Sequence, residues 1–320
     1  MAKKRLRPGR VVLAMGIIVG SGFVLDNIRR DIFQANSRLV VSGNFRSGSA
    51  QYVEMHTENS KRLGNDSQTA TAFTGVQNLG YSELNLPESR LSAGALVLID
   101  EKHPAGKADK SGIVNLYDKM NVYYSLVDNS IELNKDAAES LNAMMEDYNE
   151  ATSLSDFIVY GTTNTYTGPD SYCPEYFPES VTGNTVDLAL RGYECALSYD
   201  GRDEEGWIVE NCAKYGFIVR YPQGKTDKTS HGYCPWHLRY VGGVHAAIMS
   251  ERNFCLEEYL DYLNNYTYDN ALTYNLNGVN YEIYSVESKG DSTPVRVPVS
   301  GNYTISGNNS DRYIITTIKN

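Results

Sequence analysis

The chain has 320 residues, enough for one sizeable domain with appendages or for two small domains. Its net charge of -10 at pH 7 argues against a nucleic-acid partner, because no broad basic surface would neutralise the phosphates. Its 25 tyrosines suit a polar extracellular surface, although they are equally ordinary in β-rich proteins.

The N-terminus combines basic side chains with an apolar run. Five Lys and Arg residues lie within positions 3–10, and the apolar run covers 11–25. This order is typical of an export signal whose start stays in the cytoplasm. We expect an uncleaved membrane anchor over residues 1–26 that leaves the rest of the chain extracellular. Cleavage as a signal peptide, which would give a secreted protein, and a buried helix are the alternatives.

Residues 27–78 lack a sustained hydrophobic period and are rich in Ser, Asn, Gly and Thr. Such a composition predicts a polar tether between the anchor and a folded domain. A short apolar island at 39–41 offers the alternative of an added strand.

Residues 79–265 show alternating helix and strand signals with short connections. The apolar run 95–99 predicts a buried strand. Asn134 suits the N-cap of a helix over 134–151. The apolar face of that helix comprises Ala137, Leu141, Met144, Met145 and Tyr148. Residues 157–160 predict the strand that follows.

The same alternation continues through the second half of this segment. A helix is predicted over 204–215, since it begins with acidic residues and stops at Gly216. Strands are predicted over 217–221 and 236–241, and a last helix over 256–263. This order of elements predicts an α+β domain.

Residues 266–320 have a different character. Side chains alternate in polarity at 281–286 and 295–299, and two further strand signals flank a turn-forming cluster at 307–311. We expect a small C-terminal β appendage.

His237 and Arg239 are the first candidates for a site. On a strand over 236–241 they share one face, whereas Trp236 lies on the other. A histidine beside an arginine would suit recognition of an anionic peptide end. The pattern alone favours a polar, solvent-exposed face over a site.

Asp187 interrupts a short apolar run over 186–190. A carboxylate in such a position must be paired, bound to a metal or placed at the edge of a sheet. An aspartate at the end of a strand is an equally good interpretation.

Five cysteines lie in the second half of the chain: Cys173, Cys195, Cys212, Cys234 and Cys255. Export would place them where disulfides are allowed, and an odd count leaves at least one unpaired. No two of them form a C-x-x-C pair, so a cysteine-rich zinc knuckle is not indicated.

Residues 215–242 resemble the VanY-like D,D-/L,D-carboxypeptidases of bacterial cell walls. That family carries an S-x-H-x-x-G-x-x-x-D motif and a later E-P-W-H motif. Here 235–237 and their long flanks match the second motif, while Gly183 and Asp187 hold the register of the first. The resemblance covers about 79–263. It implies a zinc D,D-carboxypeptidase-like fold, with helices packed on a mainly antiparallel sheet.

In the family, zinc is held by the first His, the Asp and the last His, and the Glu acts as general base. By position, Asp187 and His237 match two of the ligands. Ser180 occupies the first histidine position, Cys234 the general-base position, and Thr163 the position of an arginine that holds substrate. The resemblance therefore implies a remnant site, around which Arg220 and Arg239 are further candidates for binding substrate.

These departures weaken the expected chemistry. Catalytic zinc normally has three protein ligands, and a serine hydroxyl is a poor substitute, so we expect zinc binding to be weak or absent. Loss of the base would remove a step worth roughly 10²–10⁴ in rate. Cys234 could instead serve a structural zinc site as a thiolate, with Asp187, His237 and His231. A small buried residue is the other interpretation of Cys234.

Three functions remain open. The first is a catalytically impaired surface protein that binds peptidoglycan stem peptides or a wall partner. The second is an active zinc carboxypeptidase that trims those peptides with an altered site. The third is a structural surface protein that keeps only the fold. The retained Asp187, His237 and Arg220 favour a remaining groove, and the lost positions argue against turnover.

Overall fold

The computed structural model describes residues 80–106, 112–161, 177–192 and 196–319. The predicted anchor, the predicted tether, Thr163, Cys173 and Cys195 lie outside these ranges. Within them, no helix has the length and apolar character needed to span a bilayer.

Five α-helices are described: α1 (Lys135–Thr152), α2 (Gly206–Asn211), α3 (Thr226–Thr229), α4 (Gly243–Arg252) and α5 (Leu256–Leu263). Short 3₁₀ helices cover Glu88–Ser92, Pro178–Thr182, Asp203–Glu205 and Cys212–Tyr215. The strands are β1 (Tyr81–Leu86), β2 (Ile113–Asn115), β3 (Ser125–Leu126), β4 (Glu132–Asn134), β5 (Phe157–Gly161), β6 (Thr185–Arg191), β7 (Ala196–Ser198), β8 (Phe217–Tyr221), β9 (Cys234–Tyr240), β10 (Leu272–Leu276), β11 (Val279–Glu287), β12 (Thr293–Pro298), β13 (Tyr303–Gly307) and β14 (Arg312–Lys319).

The central sheet has the strand order β3-β5-β6-β9-β8, and β7 also pairs with β6. Only the short β3–β5 pair is parallel among the strand pairs described in this sheet. The predicted α+β fold with a mainly antiparallel sheet is confirmed.

Helix α1 forms the main cover of this sheet. Its start is fixed by Asn134, whose side chain accepts a hydrogen bond from the Asp136 amide at 2.9 Å. The predicted apolar face is fully buried and packs with side chains of the sheet, among them Phe157, Val186 and Leu238. A 3.6-residue period therefore correctly located this face of the core.

The segment between β7 and β8 is helical, as predicted, although it divides into a 3₁₀ turn, α2 and a second 3₁₀ turn. It ends at Gly216, which has φ of 81°, and β8 follows at once. A glycine suits this left-handed position because it has no Cβ to clash with the backbone.

Two parts of the fold differ from expectation. Residues 96–99 are buried as predicted and Ala95 is half-buried, but 95–99 do not form a strand, because their backbone groups bond to side chains and to a turn instead of a strand edge. Helix α4 was not predicted, since the Gly242-Gly243 pair at its start and its short length obscure the helical period.

The C-terminal strands form a four-stranded antiparallel sheet of order β10-β11-β14-β13. The strand signals correctly predicted β11, β13 and β14 of this sheet, together with β12 outside it, but β10 was missed. Strand β12 pairs with β1 from the start of the described chain, and the two strands share an apolar core with the sheet. The proposed boundary near residue 265 remains a prediction.

His245 of α4 is buried between α5 and β14. Its Nδ1 lies 2.7 Å from the Tyr259 hydroxyl and its Nε2 lies 3.0 Å from the Thr316 hydroxyl. Burial lowers the pKa of His245 to about 3, so the ring stays neutral in the folded chain.

Acid should therefore destabilise the protein through His245. Below the unfolded pKa of 6.5 the unfolded chain binds a proton that the folded chain does not, so unfolding becomes easier as pH falls toward 3. Between pH 6.5 and 5 this should lower the free energy of unfolding by about 2 kcal/mol. Urea denaturation of wild type and His245→Gln checks this. The glutamine variant should lose that part of the pH dependence, while His103→Gln, on a half-exposed histidine, should retain it.

Candidate functional site

The site lies on adjacent central strands β6 and β9. Asp187 is directly opposite His237 in the ladder, and Thr185 is opposite Arg239. Opposed residues of an antiparallel pair project from the same face, so all four side chains share one side of the sheet. That side is buried, which makes the solvent-exposed interpretation of His237 and Arg239 wrong.

Both ring nitrogens of His237 contact carboxylates. Nδ1 lies 2.5 Å from Asp187 Oδ1, and Nε2 lies 3.1 Å from Glu179 Oε1. The His237 side chain is 0% exposed and that of Asp187 is 8% exposed. The predicted proximity of Asp187 and His237 is present in this geometry.

Glu179 is the central residue of the site, and the sequence did not single it out. It belongs to the 3₁₀ helix Pro178–Thr182 and is fully buried. Its carboxylate accepts hydrogen bonds from Arg239 Nη1 at 2.6 Å, from Arg220 Nε at 3.2 Å and from the Tyr221 hydroxyl at 3.2 Å. A carboxylate in the interior needs such partners, since burial of an isolated charge is very costly.

The two arginines are buried, and both donate hydrogen bonds to that carboxylate. Arg220 also donates from both terminal nitrogens to Glu257, at 3.1 and 2.8 Å. Arg239 Nη2 donates to the carbonyls of Ala95 and Val97, at 3.1 and 3.0 Å. Neither guanidinium is presented at a surface in this geometry, which differs from the rim position we expected.

The charges of this cluster balance when His237 is protonated. Three carboxylates (Glu179, Asp187 and Glu257) contact three cationic side chains (Arg220, Arg239 and His237). Burial alone would lower the pKa of His237, but Asp187 and then Glu179 raise it to about 9. Burial opposes ionisation of Glu179, yet Arg220, His237 and Arg239 hold its pKa below the usual range. The imidazolium form is thus favoured at neutral pH.

Aromatic rings enclose His237. The Phe177 ring centroid lies 4.1 Å from that of His237, and Tyr221 is stacked at 5.5 Å with an interplanar angle of 11°. Half-buried His231 contacts both rings, at 5.6 and 4.5 Å. The Phe177 and Tyr221 rings cover the imidazole of His237, which is fully buried. His231 packs against the same two rings.

Ser180 and Cys234 stand where the resemblance implies the first zinc ligand and the general base. Ser180 is buried next to Glu179 in the same 3₁₀ helix. Cys234 begins β9 and is buried in a small cluster with Phe177 and Tyr221. Glu179, which precedes Ser180 in the 3₁₀ helix, contacts His237 of β9 directly.

The residues present do not fit the zinc ion that the resemblance implies. Ser180 offers a neutral hydroxyl where a third ligand is required, and both ring nitrogens of His237 are already in contact with carboxylates. Within the residues described, no three His, Cys, Asp or Glu side chains are arranged as a metal site. A structural zinc site at Cys234 gains no support from this arrangement.

Comparisons with known proteins agree with the fold and with the sequence motifs. A family model described as VanY, D-alanyl-D-alanine carboxypeptidase, matches residues 179–243. A D-alanyl-D-alanine carboxypeptidase of Enterococcus faecium is 36% identical over 258 residues, which is 75% of this chain and 82% of that protein.

One solved structure shows a similar architecture. The vancomycin-resistance D,D-dipeptidase VanXYg, in complex with a D-Ala-D-Ala phosphinate analogue, is 24% identical with a TM-score of 0.62. That similarity covers 75% of this chain and 99% of VanXYg, and it shows the fold. A vancomycin-resistance D,D-pentapeptidase VanY in complex with Zn(II) is 23% identical over 52% of this chain and 98% of that chain, with a TM-score of 0.36. The extent of the Enterococcus faecium match establishes that this chain belongs to the D-alanyl-D-alanine carboxypeptidase family.

Proposed function

We propose that this chain is a catalytically impaired member of the family that binds peptidoglycan stem peptides. One observation carries the proposal: both nitrogens of His237 are bonded to buried carboxylates. The ring acts there as a cationic member of a charge cluster, which is a different task from holding a metal ion.

The position of the general base supports the same proposal. Cys234 stands where the resemblance implies a glutamate, and its side chain is buried. A thiol at this position replaces the carboxylate that would take and return the proton. Without a positioned base, hydrolysis should be slower by roughly 10²–10⁴ even if a metal were bound.

The proposed ligand class follows from the relatives. The Enterococcus faecium protein is named for action on D-alanyl-D-alanine, and VanXYg was solved with a D-Ala-D-Ala phosphinate analogue. A chain that keeps the same fold is a reasonable candidate to bind peptides with that terminus. An active enzyme with an altered site is the second candidate, favoured by the 36% identity over most of the chain.

Wild-type protein should bind a stem peptide ending in D-Ala-D-Ala without releasing D-alanine. Calorimetry measures binding, and chromatography of the same mixture, with zinc added, measures release. A peptide of identical sequence ending in L-Ala-L-Ala is the matched control and should bind more weakly.

The other outcomes each select another function. Zinc-dependent release of D-alanine would replace the proposal with the active enzyme. Absence of binding to either peptide would instead leave a structural surface protein.

A further inference from the structure

Residues 93–104 form a segment that lies between the site and the C-terminal sheet, and its middle part, 96–99, is buried. Leu96, Val97 and Ile99 have almost no exposed surface, yet no strand pairs with them. Backbone groups in such a place must find other partners. Their partners lie alternately on the two sides of the segment.

One side of the segment contacts the end of β13 and the turn that joins it to β14. The Leu96 amide donates to the Ser306 hydroxyl at 2.9 Å, and the Leu98 amide donates to the Asn308 carbonyl at 3.4 Å. The Asn309 side-chain amide donates to the carbonyls of Leu98, His103 and Pro104, at 3.0, 3.3 and 3.0 Å. The side-chain amide of Asn309 thus donates to three carbonyl groups of the segment.

The other side of the segment contacts the site. The carbonyls of Ala95 and Val97 accept from Arg239 Nη2, and Arg239 Nη1 donates to Glu179. Glu179 in turn contacts His237. The alternation of residues 95–98 therefore places the C-terminal turn and the site guanidinium on opposite sides of one stretch of backbone.

Backbone packing makes this contact close. A Cβ added at Gly307 would lie 1.9 Å from the Leu91 carbonyl oxygen, and one added at Gly94 would lie 2.7 Å from the Ser306 Cα. Glycine is required at both positions because the two backbones approach each other without room for a side chain. The Gly94 contact therefore packs the start of the segment directly against the end of β13.

We propose that Asn309 is a positioning residue for the site. By holding the carbonyls of Leu98, His103 and Pro104, it fixes the segment whose other carbonyls orient Arg239, and Arg239 orients Glu179 against His237. The effect on ligand binding rests on the proposed function, whereas the effect on Arg239 does not.

Two variants of Asn309 test this in the full chain. Asn309→Asp keeps the shape but turns a carboxylate toward three carbonyl oxygens, and Asn309→Gly removes the donor while keeping a residue that accepts the φ of 62°. Asn275→Asp is the matched control: it adds the same charge to the same sheet, on an exposed hairpin away from the segment.

The primary readout is the Arg239 Nε–H resonance of arginine-labelled protein, assigned with Arg239→Lys. We expect Asn309→Asp to shift or broaden it, Asn309→Gly to do so less, and Asn275→Asp to leave it unchanged. Hydrogen exchange at the Leu96 and Leu98 amides should accelerate in the same order. An unchanged resonance in folded Asn309→Asp would overturn the proposal, whether or not those amides exchange faster.

Peptide affinity is the second readout. Asn309→Asp should weaken binding of the D-Ala-D-Ala peptide on the order of threefold or more, because a loosened Arg239 no longer fixes Glu179 and His237. If wild type binds no peptide, the proposed function fails, and the Arg239 resonance still decides whether Asn309 positions the site. If peptide binding is intact in Asn309→Asp while the resonance shifts, positioning holds and its link to ligand binding is refuted.

Discussion

Ser180→His combined with Cys234→Glu should convert the chain from one that holds little zinc into one that binds about one zinc ion. The double change returns the ligand count to three, since Asp187 and His237 already lie side by side on β6 and β9. The ring of His237 must lose its proton first. Because the pKa of His237 is about 9 in the unmodified protein, zinc binding should strengthen as the pH rises toward that value.

Elemental analysis after dialysis against a fixed zinc concentration measures this result. Ser180→Ala with Cys234→Glu is the control, because it changes the same positions without adding a ligand. Peptide hydrolysis should remain low in the zinc-binding variant, since Thr163 cannot supply the bidentate, charge-assisted contact of the arginine that the family resemblance implies. Equal zinc content in the unmodified protein would show that the substitutions at Ser180 and Cys234 do not limit metal binding.

Glu179→Gln should destabilise the fold by about 3–5 kcal/mol, which is the cost of removing one partner from a buried ion cluster. The amide keeps the volume of the side chain but leaves Arg220, Arg239 and His237 in the interior with too little negative charge. Burial then acts on those cations without compensation. Urea denaturation at pH 7 measures the change in the free energy of unfolding.

Glu139→Gln provides the comparison on the surface. That glutamate lies 3.8 Å from Lys135, and both side chains are more than two-fifths exposed. A solvent-exposed pair of this kind contributes about 0–1 kcal/mol. Similar losses in the two variants would mean that the buried cluster does not stabilise the fold through its charges.

Much of the fold follows from local patterns. The helical period of 134–151 identified the face of α1 that is buried, and strands β5, β8, β9, β11, β12, β13 and β14 lie where apolar or alternating runs predicted them. Each of these elements buries one face against a common core. The spacing of their apolar side chains therefore predicts whether they form a helix or a strand. A strand was wrongly predicted at 95–99. The backbone groups of these residues form hydrogen bonds with side chains distant in the sequence and not with a neighbouring strand.

The site was predictable only in part. Asp187 and His237 were found because motif spacing places them, and their register in the sheet agrees with that spacing. Glu179 was missed because its partners Arg220 and Arg239 are 41 and 60 residues away in the chain. A usable signal existed: two arginines in otherwise apolar strands require a buried carboxylate, and a search for it would have reached Glu179.

The cross-strand pair of Asp187 and His237 has a consequence for how such proteins change over evolutionary time. Both residues sit opposite each other in the middle of the central sheet and share a buried charge cluster with Glu179. Selection for a stable fold alone would keep them, even after selection for turnover had ended. Ser180 lies in a short 3₁₀ helix and carries no charge, so a requirement to balance the buried cluster would not retain a histidine at that position. In this fold, zinc ligands retained at Asp187 and His237 are therefore weaker evidence of activity than a histidine retained at the position of Ser180.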